Sequence, residues 1–344
     1  MLGNKYGTHR VLYPQGVLPQ PAEKVDNNPE IFDNEILIDV EIINITSTAF
    51  RRIKRLAAGD VQKMADEVIR IVEEKGKFQC PETGSGGMLI GRVAQIGSAL
   101  QGKVDLAVGE QLATMVSLSL TPLKIEKIYR INPDTDQVFA KGTAILFESG
   151  IWAKIPEDLG EALSVAVMDV AGAPAWTAKL VKPKDTAIVI GLGKAGLLCL
   201  HEARKKAGAQ GTVIALEYSE KQCEIVRELG LADYVLCQDA ADPIAVMEKI
   251  KEITFGEMAD FVVNTVNLPN TEMSSILSCK DHATILFFSM ATSFTKAALD
   301  CEGVGKIVNM IIGTGYLEGH AELTYQILRE NSKLKEYFQK VYSG

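Results

Sequence analysis

Histidine is scarce in this chain of 344 residues, with four copies, and the six cysteines stand apart at positions 80, 199, 223, 237, 279 and 301. Neither residue type supplies the spacing of a metal site, since no Cys-x-x-Cys or His-Glu-x-x-His occurs. His9, His201, His282 and His320 each read more readily as surface or core residues than as ligands, so no metal is expected. The chain also lacks a Gly-x-Ser-x-Gly elbow and the Tyr-x-x-x-Lys pair that makes a lowered-pKa tyrosine acid.

Positive charge is in deficit as well. Lys and Arg number 36 against 44 Asp and Glu, a formal charge of −8, whereas nucleic-acid binders rely on clustered cations releasing counterions. No nucleic-acid partner is expected. Long apolar runs are missing too: the most apolar stretch, 163–178, is broken by Asp169 and Pro174, and the N-terminus has no signal-peptide core. No membrane partner is expected, a cytoplasmic location is, and the cysteines should be reduced there.

What is present suffices for two cores, because 47% of residues are hydrophobic and 23% charged over a length that favours two domains. The stretch 35–45 is β-branched and mostly alternating, which predicts a half-buried strand. Residues 59–75 place Val61, Met64, Ala65, Val68, Ile69 and Val72 at helical spacing, an insertion in a β-rich domain. The glycine-rich turn 81–87 and strand-like segments at 88–96 and 110–118 suggest a compact barrel or curled sheet. From Pro156 onward strands alternate with helices: strands at 187–190, 212–216 and 234–236, helices at 194–207 and 219–229, and further alternation to 312. That alternation predicts a parallel sheet covered on both faces. The expected domains are 1–154, completed by helices returning within 316–344, and 155–315.

The strand at 187–190 runs into Gly191-Leu192-Gly193-Lys194-Ala195-Gly196, which opens a helix. A Gly-x-Gly-x-x-Gly alone is weak, but at a strand-to-helix junction it places a pyrophosphate against free N–H groups. The second strand ends in Glu217, about twenty residues on, where an acid accepts ribose hydroxyls and repels a 2′-phosphate. NAD is therefore the expected cofactor, with Tyr218 beside the acid, and Lys221 close enough to leave NADP tolerance open. Asn264, Thr265, Ser289 and Thr314, near the ends of later strands, are candidates to line the nicotinamide pocket and equally candidates for strand caps and turns.

Outside the cofactor loop the chemistry on offer is hydroxyl and carboxylate: Thr46, Ser47 and Thr48 after the first strand, then Glu82, Glu148 and Asp169. Each glutamate alone reads more readily as a cap or solvated surface. Asp169 differs, because a buried acid in the apolar run Val165-Ala-Val-Met-Asp169-Val-Ala is costly unless paired or used in proton transfer.

The β-rich first domain, the Pro156-Glu-Asp-Leu159 lead-in and the glycine turn together resemble the medium-chain dehydrogenase/reductase superfamily over nearly the whole chain. The resemblance implies a GroES-like catalytic domain joined to a doubly wound Rossmann domain, and a homodimer paired through a last strand at 306–312. The family's zinc ligands would fall at Thr46 and Gly87, which resembles a zinc-free member. Longer strings, among them Asn4-Lys-Tyr-Gly-Thr-His-Arg10 and Thr83-Gly-Ser-Gly-Gly-Met-Leu-Ile-Gly91, with 16–21, 144–150 and 169–174, resemble a narrower group of amino-acid dehydrogenases of lysine fermentation. This implies oxidative deamination of a small diamino acid by NAD, yielding an amino-oxo acid and ammonia.

Such a reaction needs a base, and Asp169 is the first choice, because an apolar setting would raise its pKa toward working pH. Thr46, Ser47 and Thr48 would orient the reacting nitrogen or the water, Arg51 or Arg52 would hold the carboxylate, and Glu82 and Glu148 would meet the ammonium groups. Two other readings stay open. One is a zinc-free quinone or enone reductase, against which Glu217 and Asp169 count. The other is a dinucleotide-binding protein without turnover, since a Rossmann half reports binding alone.

Overall fold

In a computed structural model, which describes residues 1–289 and 291–342, the chain divides into two compact units, Met1–Val165 and Ala166–Gly344. The first opens on a short antiparallel ribbon, β1 (Val11–Tyr13) with β2 (Lys24–Val25). Its main sheet holds β3 (Glu35–Ile45), β4 (Gly87–Ile96), β5 (Gln111–Thr114), β6 (Leu123–Asn132), β7 (Gln137–Phe147) and β8 (Trp152–Lys154). These are antiparallel in the order β6-β7-β3-β4-β5-β8.

Two helices, α1 (Ser47–Leu56) and α2 (Val61–Lys75), are inserted between β3 and β4. Helix α2 follows the periodicity of its sequence and begins where Asp60 accepts hydrogen bonds from the Gln62 and Lys63 amides. Helix α1 was not among the expected elements. It forms because Ala49, Phe50 and Ile53 share one face, and burying Phe50 and Ile53 stabilises it by about 1.5–3 kcal/mol each. The N-terminal segment is pinned to β3 by Arg10, whose guanidinium donates to both Glu35 oxygens at 2.9 and 2.6 Å with both side chains 1% exposed. Burial alone would push the Glu35 carboxyl up, but hydrogen bonds from Arg10, Phe32 N–H and His9 hold it below its usual range.

The second unit is doubly wound. After α3 (Gly160–Met168), within which the division falls, α4 (Gly172–Leu180) leads into β9 (Thr186–Ile190), α5 (Lys194–Ala207), β10 (Thr212–Glu217), α6 (Glu220–Leu229) and β11 (Tyr234–Cys237). The second half is α7 (Pro243–Ile253), β12 (Ala259–Asn264), α8 (Glu272–Leu277), β13 (Cys279–Phe287), α9 (Phe294–Val304) and β14 (Asn309–Ile312). All six strands are parallel in the order β11-β10-β9-β12-β13-β14, so the chain reverses its winding at β9 and β12, where open α/β sheets bind ligands. The fold is a Rossmann domain following a GroES-like β-domain, as expected.

The domain limits differ from the expected ones. The division falls at Val165 and not at 154, and α10 (His320–Glu330) and α11 (Ser332–Tyr342) belong to the second unit. Helix α10 packs on α4 and α5 through a face that includes Ala321, Thr324, Tyr325 and Leu328, and the Tyr325 hydroxyl lies 2.6 Å from the Met168 sulfur. Those apolar contacts keep residues 316–342 with the Rossmann unit; 343–344 lie outside the described residues.

Candidate functional site

The glycine turn in the second unit has the shape its sequence demands. Gly191 sits at φ +86°, and a Cβ on Gly196 would run into the Gly191 carbonyl oxygen, so strand and helix touch only because that position is bare. Gly193, the N-cap of α5, behaves in the opposite way: a Cβ there would meet no protein atom within 4 Å, and no side chain caps the helix. Backbone N–H groups at a helix N-terminus thus face open space, a cradle that fits a pyrophosphate.

Glu217 ends β10 and is woven into that cradle. Its Oε2 accepts from the Leu192 amide at 2.8 Å, while Oε1 accepts from the Tyr218 and Ser219 amides at 3.0 and 3.1 Å. Gln222 Nε2 donates to the Leu192 carbonyl at 2.6 Å, so Leu192 is held on both sides; sequence reasoning overlooked Gln222, which lies five residues past the acid with no motif to mark it. Ala195 is buried in the first turn, and Tyr218 is 74% exposed beside the acid.

The strand-end candidates divide. Asn264 is fully buried and its amide nitrogen donates to Thr271 and Ser275, while its Oδ1 accepts from the Val266 amide at 3.0 Å. It caps β12 from within, and the pocket-lining reading has no free atom to act through. Thr265 Oγ1 donates to the Gly191 carbonyl at 2.9 Å and so braces the glycine turn. Ser289 donates to Asn267 at 3.1 Å, and exposed Thr314 to the Tyr316 carbonyl at 2.9 Å.

Asp169 is not the isolated buried acid its sequence suggested. The apolar run is helix α3, Asp169 falls just after it, and its Oδ2 accepts from Lys194 Nζ at 3.2 Å with the two side chains 18% and 21% exposed. An acid and an ammonium therefore stand together at the first residue of α5. The same ammonium lies 5.6 Å from the centroid of the Tyr342 ring.

In the first unit Thr46 joins β3 to α1, and its hydroxyl shares a hydrogen bond of 2.9 Å with Ser85, which shares another of 2.6 Å with Thr83. Three hydroxyls thus form a chain at the place where a thiolate or imidazole ligand would otherwise be sought. Ser47 turns away and donates to Asp136 at 2.7 Å. Thr48, Arg51, Arg52 and Arg55 recur at the i, i+3, i+4, i+7 spacing of one helical face, and with Glu82 they line a pocket of about 250 Å³. Arg52 bridges Glu67 at 3.1 Å and Glu82 at 3.0 Å, and Arg55 reaches Glu82 at 3.6 Å. Arg51 has no ion pair of its own among the described residues and is exposed. Arg55 was missed in the sequence because α1 was; three arginines on one face suit a carboxylate.

Glu148 and Glu82 do not meet as a pair. The β3–β7 register pairs Glu35 with Phe147 and Asn44 with Gln137, so Glu148 and Thr46 lie at opposite ends of an 11-residue strand, roughly 30 Å apart. Glu148 is engaged there by Asn34 Nδ2 at 2.8 Å. Glu82 is neutralised by arginines, so neither acid is placed to receive substrate ammonium groups as expected.

Each unit matches a known protein family. Residues 9–156 match the family model described as L-erythro-3,5-diaminohexanoate dehydrogenase N-terminal domain, and 195–311 that described as zinc-binding dehydrogenase. Over 99% of its length the chain is 53% identical to the L-erythro-3,5-diaminohexanoate dehydrogenase of Acetoanaerobium sticklandii, covering 100% of it. It is 50% identical to the enzyme of the same name from Fusobacterium nucleatum, covering 99% of each. Among solved structures, CurK enoyl reductase superposes with a TM-score of 0.57 at 13% identity, over 91% of this chain and 83% of that one. Alcohol dehydrogenase TADH from Thermus sp. ATN1 gives 0.52 at 15% identity, over 90% and 85%. At such identities these two structures speak for the fold alone.

Proposed function

The chain belongs to the L-erythro-3,5-diaminohexanoate dehydrogenase family, and from that membership we propose the division of labour among its residues in the NAD-dependent oxidative deamination of L-erythro-3,5-diaminohexanoate. The reaction takes substrate, NAD⁺ and water to 5-amino-3-oxohexanoate, ammonia, NADH and a proton. When bound, the cofactor supplies the hydride acceptor. The observation that carries its identity is Glu217: a carboxylate fixed by three backbone amides suits two ribose hydroxyls and repels a 2′-phosphate, so NAD is preferred over NADP.

The reacting nitrogen must be a neutral amine before hydride can leave C3, and water must lose protons as it replaces ammonia. Asp169 is proposed as the base for both transfers, with Lys194 a positioning residue that fixes its carboxylate. Thr46 and Thr48 orient the nitrogen or water, and the Thr46–Ser85–Thr83 chain of hydroxyls gives a proton a route outward. An amine requires a base, not a Lewis acid for an alkoxide, which suits a hydroxyl group at position 46. Arg51, aided by Arg55 and held in line by Arg52, binds the substrate carboxylate.

The assembly proposed is a homodimer joined through β14. That strand is the sheet edge, and its Ile312 is 57% exposed, an apolar edge that pairing would cover. A cytoplasmic location is proposed from six free cysteines, and no helix of the described residues is long and apolar enough to cross a membrane. Incubation of the purified protein with substrate and NAD should give 5-amino-3-oxohexanoate, identified by mass. A 3-hydroxy product or none would refute the reading.

A further inference from the structure

The C-terminal part of α5 carries a polar cluster that neither cofactor nor substrate uses. One ring nitrogen of His201, one carboxylate oxygen of Glu202 and one of Glu330 lie within 4.8 Å of one another. Glu202 is 1% exposed, and its Oε1 has no hydrogen-bond partner among the described residues. A buried carboxylate oxygen left without a partner costs free energy on the order of kcal/mol, so its retention asks for a ligand. Glu330 ends α10, whose terminal carbonyls add negative potential at the same place.

The surroundings fix the cluster's charge and orientation. His201 Nε2 lies 3.4 Å from Glu330 Oε2, and Nδ1 faces the Asn331 amide at 3.5 Å. Lys205 Nζ donates to both Glu330 oxygens at 2.9 and 2.7 Å, and Gln326 Nε2 to Oε1 at 3.0 Å. Lys205 and Lys206 both stand near the cluster, and while Glu330 Oε1 is filled by Lys205 and Gln326, Oε2 keeps a second lone pair beside the one facing Lys205.

We propose that His201, Glu202 and Glu330 bind one divalent transition-metal cation, of which zinc is the natural occupant, tying α5 to α10. Imidazole nitrogen and carboxylate oxygen coordinate zinc at about 2.0–2.2 Å, which separates tetrahedral donors by about 3.4 Å, so the three atoms need to close by only about an ångström. Calcium and magnesium fit poorly, since they favour six or more oxygens or ordered water and avoid imidazole. The cation is structural: it stiffens the helix that opens on the cofactor cradle and takes no part in the reaction.

The full-length protein, freed of metal by a chelator, is titrated with Zn²⁺ and Co²⁺ by calorimetry and followed by thermal melting. One equivalent should bind per chain and raise Tm, with visible d–d absorption for Co²⁺. Glu202→Gln and His201→Ala should each weaken binding by at least about tenfold with NAD affinity retained, and Lys205→Met should strengthen it by removing a competing cation. Glu330→Gln, at a partly exposed position, repeats the test if Glu202→Gln disturbs the fold. Absence of saturable binding, or equal affinity in the wild type and the variants, overturns the proposal; equal affinity would assign the ion elsewhere, for instance to the exposed Cys237 thiol.

Discussion

The Leu192 amide donates to Glu217 Oε2 at 2.8 Å, so the loop that receives a pyrophosphate and the acid that receives a ribose are one hydrogen-bonded piece. Changing the acid therefore acts twice, through lost ribose contacts and through a loosened loop. Glu217→Gln should raise KM for NAD by about tenfold or more, with kcat little changed, and narrow the preference over NADP. Steady-state kinetics with both cofactors decides; an unchanged KM would remove Glu217 from cofactor recognition.

The Asp169–Lys194 pair calls for separate variants. Asp169→Asn should lower kcat by about 10²–10⁴-fold and leave the Kd for NAD within a few fold, as expected of a lost general base. Lys194→Met should cost less and alter the pH profile of kcat, because it removes an orienting partner and not the base. Full turnover in Asp169→Asn would exclude its proposed role.

Arg51 is the arginine of α1 without an ion pair among the described residues, which makes it the one free to meet an anion. Arg51→Met should raise KM for the diamino acid by about 10–100-fold and spare KM for NAD. Equal loss on a substrate analogue amidated at its carboxylate would show that Arg51 acts on something else.

Lys77 gives a pH dependence with a defined sign. Its side chain is fully buried with Nζ on the Pro19 and Gln20 carbonyls, and burial lowers its pKa from 10.5 to about 8. Between those values the unfolded chain holds a proton that the folded one has released. Stability should therefore rise as pH climbs from about 8 to 10.5, by on the order of 3 kcal/mol for this group. Urea unfolding of wild type and Lys77→Met across that range checks it, the rise being absent from the variant.

The buried Arg10–Glu35 pair acts with the same sign, but at acid pH. With the Glu35 carboxyl held below 4.5, its contribution is present above that pH and is lost on acidification. Arg10→Met should destabilise by about 3–5 kcal/mol, since it strands a buried carboxylate. A loss under about 1 kcal/mol would show the pair to be replaceable.

What the sequence revealed depended on range. The glycine turn and Glu217 were legible because strand, turn, helix and acid follow one another within about thirty residues. Thr48, Arg51 and Arg52 were singled out, but the face that joins them to Arg55 was hidden while α1 went unrecognised in a segment of only ten residues. Longer-range relations were not legible. Glu148 was misplaced because strand register decides which end of the sheet a residue reaches, and the β6–β7 hairpin was overlooked because β6 is largely exposed and weakly patterned. The partner of Asp169 lies 25 residues away, and no local pattern announces it.

The most direct test of the account is the stoichiometry of turnover. Purified protein given L-erythro-3,5-diaminohexanoate and NAD should release NADH and ammonia in equal amounts, measured by absorbance and by ammonia assay on the same sample. NADH without ammonia, or cofactor binding with neither product, would contradict it.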